Sequence, residues 1–235
     1  MLKLIKLEWK KNNIGKYIVK TVVMVLILGL FCFALAYFGI ANDPDLGVPD
    51  AAPGNEMISS SIEIFTDMSF LILTSVMLSS FIVSAYKNKT MNLMFSYPIK
   101  RQKILVSQML AVWLFNFAAL IVAKVLIYGF IMAGSFFMES SFPIDFDMTT
   151  LNFYIQLTFK SAITVTMGFI ALFVGMAMNS SKAAIVSSFL LVLLTQGNIG
   201  DVTLAGNIVF LVVLAGVSLL FAFLSVSRAE TKDLP

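Results

Sequence analysis

Six apolar stretches, at about 19–40, 63–86, 104–130, 153–178, 182–197 and 205–227, set the terms for this chain. Each approaches the roughly 20 residues that a helix needs to cross a bilayer. Of the 235 residues, 59% are hydrophobic and 12% charged, against about 45–50% and about 25% in soluble domains. A soluble fold of this size has no interior able to hide that much apolar surface, whereas lipid solvates the outside of a helical bundle. The expected fold is all-α: one polytopic membrane domain over residues 1–235 with six transmembrane helices. The fifth stretch is short and stops near Thr195-Gln196-Gly197-Asn198, where Gly-Asn favours a turn. The third continues past Phe130 to Phe136-Phe137, long enough to tilt or protrude.

Charge sets the expected orientation. Lys3, Lys6, Lys10, Lys11, Lys16 and Lys20 precede or open the first stretch, and Lys87, Lys89, Lys100, Arg101 and Lys103 lie between the second and third. Lys182 follows the fourth, and Arg228 and Lys232 follow the sixth. The alternate connections carry Asp43, Asp45, Asp50, Glu56, Glu139, Asp145, Asp147 and Asp201 and no basic residue. Positive connections stay inside, so both ends are expected in the cytoplasm. The run after Lys20 lacks a small-residue cleavage site and is expected to be a retained span. With no His and a single Cys, Cys32, the chain offers neither an intrachain disulfide nor a Cys/His metal spacing. No nucleic-acid partner is expected.

Two segments outside the spans have patterns of their own. In an expected interfacial helix over residues 2–15, Leu2, Ile5 and Trp9 share one face, flanked by Lys3, Lys6 and Lys10. Such a basic helix with Trp at its apolar edge suits the inner membrane surface. A plain positive anchor for the first span is the simpler alternative. In the second segment, residues 85–103, Met91, Met94 and Phe95 share a helical face, Leu93 lies off it, and Pro98 ends the helix. Soft Met and Phe side chains there suit a partner's groove. A positive loop with apolar residues dipping into lipid would look the same.

The run Lys89-Thr90, Leu93-Met94, Ser96-Tyr97-Pro98-Ile99-Lys100-Arg101 and Lys103-Ile104-Leu105 resembles the inside loop of ATP-binding-cassette type-2 permeases. The order of surface helix, span, acidic loop, span, basic loop and four further spans is similar too. The chain departs from the family pattern at Ala85, where an acidic residue is usual, and at Gln108, where Lys is common.

The resemblance implies a transport subunit of a bacterial cytoplasmic membrane, similar to the small six-helix branch that confers bacteriocin immunity or expels cytotoxic peptides. It implies a cytoplasmic coupling helix in which Lys89, Thr90, Met91, Leu93, Met94, Phe95, Pro98 and Arg101 seat in a separate ATPase. Two ATPase copies, carrying ATP and Mg, and a second permease of the same or a related chain would complete the transporter. The sequence has no Gly-x-x-x-x-Gly-Lys-Ser/Thr loop to cradle phosphates. Hydrolysis is therefore expected in the partner, with no enzyme activity and no cofactor in this chain. The competing expectation is a membrane scaffold that docks some other cytoplasmic protein through the basic loop.

Four charges sit inside apolar stretches. Lys124 lies 20 residues beyond Ile104 and Lys160 lies 19 before Asn179, roughly 30 and 28 Å along a helix. Asp67 and Glu63 precede Ala85 by 18 and 22 residues, roughly 27 and 33 Å. All four thus reach similar depth near the outer edge of the hydrocarbon. Either Glu63 or Asp67 pairs with Lys124 or Lys160 and frames an outer vestibule, or the four snorkel independently. Gly168, Ala171, Gly175 and Ala177 suit close helix packing. Thr74, Ser75, Ser79 and Ser80 are candidates for bonds between helices or for cargo contact.

Overall fold

The computed structural model describes residues 2–37, 57–87, 101–138, 146–196, 198–199, 202–203 and 208–231. Within them the order is α1 (Leu2–Lys11), α2 (Ile14–Tyr37), α3 (Met57–Leu78), a π-helical turn (Ser79–Val83) and α4 (Ser84–Lys87). Then come α5 (Arg101–Met138), α6 (Leu151–Ala177), α7 (Ser181–Gln196), β1 (Asn198–Ile199), β2 (Val202–Thr203) and α8 (Ile208–Thr231). The two strands form a minimal antiparallel ladder pairing Asn198 with Thr203 and Ile199 with Val202.

Among the described residues, five helical stretches are long and apolar enough to cross a membrane: Ile14–Ala36, Ile58–Val83, Gln102–Phe136, Leu151–Ala177 and Val209–Arg228. This differs from the six expected. The fifth apolar stretch forms a helix of only 16 residues, α7, about 24 Å long against a hydrocarbon core of about 30 Å.

Helix ends explain most other differences from the expected bounds. The N-terminal helix stops at Lys11, because Asn13 takes a left-handed φ of 49° and breaks the run expected over 2–15. The Asn12 amide donates to the Glu8 carbonyl at 3.0 Å and the Asn13 amide to Lys10 at 3.3 Å. Asn179, with φ 48°, ends α6 in the same way. Its amide donates to the Met176 carbonyl at 3.4 Å, and the Ser180 amide reaches back to Gly175 at 3.0 Å. That Schellman pattern lets α7 begin after only three intervening residues. The second span begins at Met57 rather than 63, and the third runs to Met138 rather than 130.

The chain forms two compact units. One comprises residues 15–68 and 118–161. Its core joins Cys32 and Ala36 of α2, Ile58 and Ile62 of α3, Ile127, Tyr128 and Ile131 of α5, and Leu157 of α6. The Tyr128 ring meets Phe146 and Phe153 edge-on at 4.7 and 5.0 Å, and its hydroxyl donates to the Ser59 carbonyl at 3.4 Å.

The other unit comprises residues 1–14, 69–117 and 162–235. Here glycines set the helix spacing. A Cβ on Gly168 would lie 2.7 Å from Thr74 Cγ2, and one on Gly175 would lie 2.6 Å from Ala184 Cβ. The π-helical turn packs at the same place, with Val83 Cγ2 3.1 Å from that added atom, and Ser79 donates to the Ser181 carbonyl at 3.2 Å. Thr74 and Ser75 instead donate to Phe70 and Leu71 of their own helix at 2.7 and 2.9 Å. Such backward bonds satisfy a hydroxyl without a partner helix.

Candidate functional site

The four charges predicted at similar depth converge in the first of these units. Glu63 and Asp67 are four residues apart on α3 and therefore share a face. Lys124 comes from α5 and Lys160 from α6. Lys124 Nζ lies 2.8 Å from Asp67 Oδ1, and Lys160 Nζ lies 2.5 Å from Glu63 Oε2. Charges in an apolar medium persist only when paired, and here one helix supplies both carboxylates to cations on two others.

The pairs are not equivalent. The Lys124 side chain is fully buried beside an Asp67 that is 22% exposed. Lys160 and Glu63 are 28% and 26% exposed. The first pair locks α3 to α5 in the interior, while the second is partly exposed. With each carboxylate held by an ammonium group, the arrangement suits cross-linking of helices or attraction of a polar headgroup better than acid–base chemistry.

The other unit contains a docking contact. The Trp9 indole donates to the Ala111 carbonyl at 2.9 Å, and Ile5 is buried. Glu8 is buried too and accepts from the Gln108 amide at 3.4 Å and the Asn12 amide at 3.3 Å. Lys11 stands 3.9 Å from the same carboxylate. Thus Trp9, expected to face lipid, is bonded to α5, and Ile5 beside it is buried. Leu2 is helical.

Glu8 is not among the site residues that the sequence pattern predicts. The available signal was its place on the helix: near Ile5 and Trp9 at 100° per residue, and the only acidic residue before Asp43. Gln108, noted for departing from a family Lys, is the side chain that meets it. Further along α5, Trp113 donates to the Thr166 hydroxyl at 3.1 Å. Asn116 is wholly buried and donates to Val112 and to the Met77 sulfur, at 2.9 and 3.3 Å.

Lys89, Thr90, Met91, Leu93, Met94, Phe95 and Pro98 lie outside the described residues. Arg101 is the first residue of α5.

The chain is similar over nearly its whole length to the uncharacterized protein YcbO of Bacillus subtilis (strain 168). The two are 25% identical over 236 residues, covering 99% of this chain and all of the relative. No protein-family model matches the chain, and no solved structure matches it.

Proposed function

We propose that this chain is the membrane-spanning permease subunit of an ATP-driven exporter of the ATP-binding-cassette type-2 class, resident in a bacterial cytoplasmic membrane. The observation that carries the reading is the Lys89–Leu105 run, whose last residues open a long apolar helix that begins at Arg101. In this reading residues 89–101 seat in an ATPase, two copies of which bind ATP and Mg. A second permease, identical or related, completes the pathway. The cargo class is amphipathic or antimicrobial peptides or similar toxic amphiphiles, favoured by an acidic outer side and an aromatic, Met-rich chain with 22 Phe and 14 Met.

The reading also requires an even number of crossings. Lys16 and Lys20 open α2 and Arg228 closes α8, and the positive-inside rule puts both on the cytoplasmic side. Five crossings would separate them, so α7 serves as a sixth despite its length, with local bilayer thinning to match. Impermeant thiol reagents should then label Asp201→Cys from outside and Ser180→Cys only from the cytoplasmic side.

Purification of the tagged chain from its native membrane tests the proposal. The expected co-purifying protein is a lone ATP-binding-cassette ATPase. Recovery of a kinase or assembly factor in its place would favour the scaffold reading.

A further inference from the structure

Helix α1 turns an unexpected face outward. At 100° per residue, Ile5, Glu8 and Trp9 occupy a sector of roughly 100°, and this sector is the docked one. Lys3, Lys6, Leu7 and Lys10 fill another sector of roughly 100° on the far side, and all four are exposed. Leu7 is 60% exposed. Lys3, Lys6 and Lys10 have no carboxylate within ion-pair distance among the described residues.

Position limits what can cover this face. Only Asn12 and Asn13 separate α1 from α2, a helix long and apolar enough to span a membrane. A link of two residues tethers α1 close to the membrane boundary. Three ammonium groups around one leucine match the boundary between acyl chains and phosphates: leucine on the apolar side, snorkelling lysines on the charged side.

We propose that the outward face of α1 is a binding site for anionic phospholipid headgroups, with Leu7 among the acyl chains and Lys3, Lys6 and Lys10 on the phosphates. The Glu8–Gln108 and Trp9–Ala111 contacts hold this face in register on α5, so lipid charge bears on the start of that helix. The proposal requires membrane residence and is independent of any ATPase.

The test uses the full chain in nanodiscs of phosphatidylcholine with or without phosphatidylglycerol, with Leu7 replaced by photo-reactive p-benzoylphenylalanine. A second sample carries the same probe at Ile27, exposed on α2, to report ordinary lipid contact. Each lysine near an anionic surface favours it on the order of fivefold. Cross-linking at position 7 should therefore favour phosphatidylglycerol severalfold over its mole fraction, and position 27 should show no preference. Combined Lys3→Gln, Lys6→Gln and Lys10→Gln should remove the preference at 7, and high salt should remove it without any substitution. Equal cross-linking of both lipids at position 7, or a preference that survives both the triple substitution and salt, would overturn the proposal. So would competition by millimolar inorganic phosphate at constant ionic strength, which would mark a site for free anions.

Discussion

Lys124 on α5 and Asp67 on α3 meet at 2.8 Å with the lysine wholly buried, while Lys160 and Glu63, one helical turn away along α3, remain about a quarter exposed. Burial therefore ranks the two pairs. Lys124→Met leaves a carboxylate in an apolar setting and should destabilise the fold by about 3 kcal/mol. Adding Asp67→Leu should recover most of that loss, because the cost lies in the stranded charge. Lys160→Met should cost about 1 kcal/mol or less. Unfolding of the purified variants in detergent checks the order.

Close packing at Gly175 gives a second expectation. A methyl group there meets both Cα and Cβ of Ala184, at 3.4 and 2.6 Å, and neither atom can rotate away. Gly175→Ala should cost about 1–3 kcal/mol. Nothing lies within 4 Å of a Cβ at Gly216, so Gly216→Ala should be neutral or stabilise α8 by up to about 1 kcal/mol. Thermal unfolding of the two variants side by side separates packing from helix propensity.

Gln108 should accept replacement by lysine. Its amide already faces the buried Glu8 carboxylate, and an ammonium group there converts a hydrogen bond into an ion pair. Gln108→Lys should keep α1 docked, whereas Gln108→Leu removes a donor from a buried carboxylate and should loosen it by about 1–3 kcal/mol. Amide exchange across residues 3–11 reports the difference.

Asp147 precedes α6 and accepts from the Thr149 amide and hydroxyl at 2.9 and 2.7 Å and from the Thr150 hydroxyl at 2.9 Å. These bonds, the Thr149 hydroxyl's foremost, hold its carboxyl below the ordinary value of 3.8. A depressed folded pKa stabilises the fold above the unfolded value and is lost as pH falls through the folded one. The start of α6 should fray only below about pH 4. Asp147→Ala should show that fraying at neutral pH, as faster amide exchange near Leu151.

The depth of the four charges was legible because helix rise is linear in sequence: counting residues from each span's end puts Glu63, Asp67, Lys124 and Lys160 near one level. Which cation meets which carboxylate depends on helix rotation and packing, which counting does not supply. Periodicity likewise identified the Ile5 and Trp9 face as apolar but not what covers it, since lipid and protein satisfy the same pattern. Glu8 was obscured by its lysine neighbours, and its partner Gln108 lies 100 residues away. The short α7 follows from Gly197-Asn198, a turn signal that hydropathy alone averages away.

The proposed permease role is tested most directly by the hydrolysis rate of a candidate ATP-binding-cassette ATPase reconstituted with this chain in lipid. Wild-type chain should bind the ATPase and change its rate, and Phe95→Asp or Met94→Asp should abolish both effects without unfolding the bundle. Unaltered association and stimulation with both variants would contradict it.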